Sequence, residues 1–176
     1  MMESARHIEN LEVAPDIRSE EERRESQILD SLAALSRGLE SSGAKYCVLH
    51  GWQASDVAEG DFDLAIEPAG LNTLEHILEH ECGTRIVQLL QHEATGFFFV
   101  AKCEGSGGLA LADAATDYRR DGRIYMSAGE MLFGTQIRGG LRTAAAAIEF
   151  KYLLIKKISK LSIPAHQRDR LHAALS

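Results

Sequence analysis

Apolar and polar positions along this chain switch repeatedly between a helical and an extended period, and the order of the switches predicts an α/β (α+β) protein. Ser19 followed by Glu22 has the form of a capping box. Ile28, Leu32, Leu35 and Leu39 then recur at helical spacing until Ser41-Ser42-Gly43 closes the segment. The run Tyr46-Cys47-Val48-Leu49 predicts a strand over about 45–50. Phe62, Leu64 and Ile66 alternate with Asp61, Asp63 and Ala65 in a second strand over 61–66, with a short helix expected between the two. Leu71, Leu74, Ile77 and Leu78 mark a helix stopped by Gly83. Three strands follow at about 84–90, 97–103 and 108–114, the last two joined by Glu104-Gly105-Ser106-Gly107-Gly108. Tyr118-Arg119-Arg120 reads as a loop. Beyond Gly122 the pattern gives a short helix at Ala128–Phe133, a Gly139-Gly140 turn, a long helix at about 146–160 and a final helix opened by Pro164.

These elements divide the chain simply. Residues 1–18 are polar, with Pro15 among them, and read as a flexible N-terminal arm. Residues 19–176 read as one domain, with a sheet core over about 45–115 and a helical C-terminal part over about 127–176. A chain of 176 residues is long enough to bury a core of its own, and no internal repeat interrupts it.

Composition narrows the class. No apolar run reaches membrane-spanning length, and Met1 to Glu25 holds no apolar stretch of the kind a secretory signal needs. Cys47, Cys82 and Cys103 are widely spaced and form no CxxC, so reduced thiols without disulfides, and a cytoplasmic location, are expected. A formal net charge of −7 disfavours nonspecific binding to nucleic acid, which needs a basic footprint.

The candidate chemistry lies in the second strand. Side chains two residues apart share a face of a strand, so Asp61 and Asp63 point together while Phe62, Leu64 and Ile66 enter the core. Two carboxylates on one face repel each other unless a cation lies between them, and oxygen-only ligands suit magnesium, with manganese as its substitute. A third carboxylate, Asp113, continues the apolar run Leu109-Ala110-Leu111-Ala112, and Gly51 ends the first strand. Three aspartates and a glycine turn are the parts of a two-metal phosphoryl-transfer site.

In this order the constellation resembles the nucleotidyltransferase fold of the polymerase-beta type. That family carries a strand ending in Gly-Gly or Gly-Ser, then Asp-x-Asp, then a third Asp on another strand. Gly51, Asp61, Asp63 and Asp113 fall on those positions, and Trp52 stands where the family has Gly or Ser. Gln88-Leu89-Leu90-Gln91-His92-Glu93-Ala94-Thr95 and the stretch from Asp113 to Arg123 look like a bacterial group of such domains, some associated with kinase-like domains in surface-polysaccharide gene clusters. The matched segments span roughly residues 45 to 160. The resemblance implies a small mixed sheet flanked by helices, a metal-dependent transfer of a nucleoside monophosphate from a triphosphate such as ATP, and release of pyrophosphate. It implies metal ligation by Asp61, Asp63 and Asp113, backbone approach to the phosphates at Gly51, and a lysine on the helix after the sheet reaching the triphosphate. The acceptor stays open: a sugar, metabolite, peptide, protein or RNA end.

Each of these residues also has a plainer reading. Asp117 competes with Asp113 as the third carboxylate, although it reads as part of the loop beside Tyr118-Arg119-Arg120. His50 either meets a phosphate or holds the turn, and Trp52 either stacks on a base or wedges the turn. Arg119 either neutralises an anion or pairs with Asp117 and Asp121 in a solvated loop. Among Lys151, Lys156, Lys157 and Lys160, Lys151 is nearest the start of its helix. A silent nucleotidyltransferase-like adaptor working with a kinase-like partner, and the nucleotidyltransferase half of a toxin–antitoxin pair, are the alternatives to an enzyme.

Overall fold

The structure, a computed structural model, describes residues 17–50, 61–104 and 108–160 together with Arg168. The chain is a mixed α/β protein built on one mixed sheet flanked by helices. Gly51, Trp52 and the short helix expected after them lie outside the described residues. So does the segment expected to start a helix at Pro164, except Arg168.

Helix α1 (Ile17–Ser42) begins two residues before the expected capping serine, Ser19, and ends at Gly43, whose φ of +74° only glycine adopts without strain. Strand β1 (Tyr46–His50) is buried along its whole length, and β2 (Asp61–Ile66) runs antiparallel to it, with Cys47 opposite Ala65. A 3-10 turn (Pro68–Gly70) leads into α2 (Leu71–His80), which buries Leu74, Ile77 and Leu78. Gly38 of α1 lets the two helices cross closely, since a Cβ there would stand 2.7 Å from Ile77 Cγ2.

Strands β3 (Thr84–Glu93), β4 (Gly96–Cys103) and β5 (Leu109–Ala115) form an antiparallel meander. Strand β3 runs three residues past the expected end at 90. It is an edge strand, so Gln91 and His92 face solvent and hide its extended character behind polar residues. The segment read as a loop at Tyr118-Arg119-Arg120 is instead strand β6 (Tyr118–Arg120), paired with β7 (Arg123–Met126). The Asp121-Gly122 turn between them has φ +50° and +74°, the left-handed geometry that joins tight hairpins. Helix α3 (Ala128–Met131) is capped by Ser127, which accepts from Glu130 N. A second short hairpin, β8 (Gln136–Arg138) and β9 (Leu141–Thr143), flanks the expected Gly139-Gly140 turn, and α4 (Ala146–Lys160) follows.

The main sheet has the order β3-β4-β5-β2-β1-β9-β8. Neighbours β2 and β5 are parallel, as are β1 and β9, and the other pairs are antiparallel. One face carries Tyr46, Val48, Phe62, Leu64, Ile66, Phe99, Ala112 and Ala114 against Leu32, Leu35 and Leu39 of α1 and the apolar side of α2. In β4, Phe99 is fully buried, while Phe97 and Phe98 are half-buried. The other face carries Cys47, Leu49 and Ala65 against Tyr152 and Leu153 of α4, Met131 of α3 and the β6–β7 hairpin. Cys47, Cys82 and Cys103 are free thiols. No described helix is long and apolar enough to cross a membrane.

Candidate functional site

The parallel pairing of β2 with β5 brings the aspartates together. Asp63 stands directly opposite Asp113, and Asp61 opposite Leu111. Residues opposite one another in a ladder share a face, so Asp61, Asp63 and Asp113 project from the α4 side of the sheet, beyond Ala65. The row extends over five strands as Leu90, Phe98, Asp113, Asp63 and His50.

Burial distinguishes the three carboxylates. Asp63 is 2% exposed, while Asp61 and Asp113 are half-buried. Asp63 Oδ2 accepts a hydrogen bond from Lys156 Nζ at 2.5 Å, and Asp63 Oδ1 has no hydrogen-bond partner among the described residues. Asp113 Oδ1 lies 2.9 Å from His92 Nε2. Burial pushes the Asp113 carboxyl above its ordinary value and the charge of Asp63 adds to this, with His92 and Lys156 pulling the other way.

Lys156 comes from the face of α4 that packs on the sheet, one turn after Tyr152 and two after Glu149. Its ammonium lies 5.5 Å from the centre of the Tyr152 ring, which meets Tyr118 edge-on at 4.9 Å. Burial works against the charged Lys156. The charge of Asp63 and the hydrogen bond to it, backed by Asp61 and Asp113, leave its pKa above the ordinary lysine value. Tyr152 is held protonated by burial first, then by the Asp63 and Asp113 charges, with a smaller contribution from its side-chain contact with Asp63.

Beside Asp113 lies a small pocket of about 30 Å³, bounded by His92, Tyr118, Arg119, Arg120, Tyr152 and Lys156. That is room for about two waters. Arg119 Nη2 pairs with Asp117 Oδ2 at 3.2 Å, while Arg119 Nε is buried with no partner among the described residues. Asp117 is tied into the scaffold: its Oδ1 accepts from Ala128 N at 2.9 Å, and its carbonyl accepts from Thr95 Oγ1 at 3.0 Å.

The structure therefore gathers Asp61, Asp63, Asp113 and His50 on adjacent strands, with Arg119 at the rim of the pocket. Lys151 lies elsewhere, paired with Glu130 at 2.5 Å, and the lysine at the carboxylates is Lys156. Lys156 was one of four lysines the sequence left open, with Lys151 preferred; Tyr152 and His92 were not singled out as site residues. For Lys156 and Tyr152, a usable signal exists, since both belong to the apolar stripe of α4.

A divalent cation fits part of this arrangement. The donors are hard carboxylate oxygens, and one of them, Asp63 Oδ1, is buried without a hydrogen bond. Among the described residues, however, no three His, Cys, Asp or Glu side chains converge as a ready ligand set. Comparisons with protein families, curated proteins and solved structures found no match to this chain.

Proposed function

We propose that this chain has the nucleotidyltransferase fold and transfers a nucleoside monophosphate from a nucleoside triphosphate to an acceptor, with release of pyrophosphate. The observation that carries this reading is the parallel β2–β5 pair, which sets Asp113 beside Asp63, one of whose buried oxygens has no hydrogen-bond partner among the described residues. Asp61, Asp63 and Asp113 are the residues that would hold magnesium or manganese. The bound metal would neutralise the triphosphate and favour the deprotonated form of an attacking hydroxyl. The protein's own part is positioning: phosphoryl transfer needs alignment and charge stabilisation more than a nucleophile on the enzyme. Arg119 and Arg120 at the pocket rim add positive charge near the place an anionic ligand would occupy.

A second reading, a nucleotidyltransferase-like adaptor without turnover, is favoured by a specific observation. Asp63 already has a cationic partner in Lys156, so its charge is compensated without metal. Incubation with γ-labelled triphosphates and magnesium, with release of labelled pyrophosphate as the readout, separates the two. The enzyme reading expects magnesium-dependent triphosphate binding, reported by the chain's single tryptophan, Trp52, and lost in Asp63→Asn. Binding that ignores both magnesium and Asp63→Asn would favour the adaptor.

A further inference from the structure

We propose that Lys156 is a resident counterion that competes with a divalent cation for Asp63, so that metal loading requires the ammonium to withdraw. The proposal rests on the metal-binding reading above and adds a regulatory element to it. Lys156 Nζ is 2.5 Å from Asp63 Oδ2, and the lysine and aspartate side chains are only 10% and 2% exposed. The opposite oxygen of Asp63 has no hydrogen bond among the described residues. A carboxylate buried to this degree needs a positive partner, and Lys156 supplies one at a single oxygen.

The surroundings make a single shared position reasonable. The charges of Asp61, Asp63 and Asp113 all act on the one ammonium, so the cluster holds three carboxylates against one lysine. Asp113 already meets His92 through one oxygen. Asp63 and Asp113 each give one oxygen to a protein group, and among the described residues no three His, Cys, Asp or Glu side chains form a ready ligand set. A cation entering at Asp63 Oδ1 would stand close to the Lys156 ammonium, and like charges at such separation repel strongly in a partly dry site. Lysine suits this exchange because its charge sits at the end of a flexible four-carbon stem that can retract without moving the helix. Tyr152, one turn earlier on the same face, gives the ammonium an aromatic surface beside the carboxylate.

The test is a manganese titration, read by loss of the free-ion EPR signal, on the wild-type chain, Lys156→Met, Lys156→Gln and Asp63→Asn. Removing the competing ammonium is expected to tighten manganese binding by about tenfold or more in both lysine variants. Melting temperatures provide a second readout. Lys156→Met should melt well below wild type without metal, and saturating manganese should close that gap by taking over as the partner of Asp63. If Lys156→Met does not fold alone, manganese should restore the fold, and failure to do so would count against the proposal. Manganese binding that is lost in Asp63→Asn but unchanged or weaker in the lysine variants overturns the proposal and leaves the metal-binding reading standing. Wild-type protein and lysine variants that all bind no manganese would overturn both.

Discussion

The imidazole of His92 fills the space in which a side chain on Gly96 would begin: a Cβ on Gly96 would stand 2.7 Å from His92 Cε1. The two residues flank the β3–β4 turn, where the ladder slips between Gln91 and Glu93 and leaves His92 as the extra residue. The bulge and the missing side chain together aim His92 Nε2 at Asp113 Oδ1 across the neighbouring strands.

The first prediction tests that relationship. His92 is 44% exposed at its side chain, so a methyl group at position 96 is expected to swing it outward at little cost, within about 1 kcal/mol of stability. Gly96→Ala and His92→Ala should then change manganese affinity and turnover in the same way, and the double variant should do no more than either single one. His92→Gln, which keeps a donor, should retain part of the effect. Additive effects would show that Gly96 does not act through His92.

The order of elements was legible because the main strands and helices are marked by buried periodic positions: Val48 and Leu64 in the sheet, Leu35 and Ile77 on the helices. The β6–β7 and β8–β9 hairpins were not read as strands. Each strand has only three or four residues, too few for a period to register, and Asp121-Gly122 was available as the stronger signal. Asp61, Asp63 and Asp113 could be found along the chain because each interrupts or ends an apolar run. Their cationic partner could not be read the same way. Lys156 is one of four lysines left open on α4; its place on the apolar stripe one turn after Tyr152 is the signal, and the packing of Tyr152 and Leu153 on the sheet makes it decisive.

The second prediction separates Asp61 from Asp63. Both Asp61→Asn and Asp63→Asn are expected to reduce the proposed nucleotidyl transfer by orders of magnitude, since each would remove charge from the proposed metal position. Their stabilities should differ. Asp63→Asn takes the hydrogen-bonded charge away from a buried ammonium, a change that costs about 3–5 kcal/mol in comparable buried pairs. Asp61 is half-buried at the start of β2, so its replacement should be milder. Equal melting temperatures for the two variants would argue against the Lys156–Asp63 pair as a structural element.

The third prediction is that Asp113 serves the proposed chemistry and Asp117 the scaffold. Asp113 is held in a position that disfavours its charge, through burial and the neighbouring Asp63. Asp113→Ala is therefore expected to abolish metal-dependent turnover while leaving the melting temperature unchanged or raised. Asp117 accepts from Ala128 N and pairs with Arg119, so Asp117→Ala should cost about 1–3 kcal/mol of stability and spare most of the turnover. Parallel measurement of turnover and melting temperature decides the matter. The reverse pattern would assign the third carboxylate to Asp117.

The last prediction concerns the clasp that fixes α1 to the edge of the sheet. Arg142 on β9 donates to both oxygens of Glu40, from Nε at 2.6 Å and from Nη2 at 3.0 Å, and the Tyr46 hydroxyl donates to Glu40 Oε1 at 3.2 Å. The Arg142 hydrogen bond holds the Glu40 carboxyl below its reference value of 4.5, against a smaller opposing effect of burial. A carboxyl lowered in the folded state binds its proton more weakly there than in the unfolded chain. Its contribution is therefore complete above the unfolded pKa and disappears as pH falls through the folded one. Glu40 is 44% exposed at its side chain, so solvent screening limits the contribution to about 0.2–1 kcal/mol. Glu40→Gln should consequently melt slightly below wild type at about pH 7, and the difference should shrink towards zero at about pH 3 and in high salt. A difference that grows on acidification would mean that Glu40 is not held ionised by Arg142, and that the helix is fixed to the sheet by its apolar face alone.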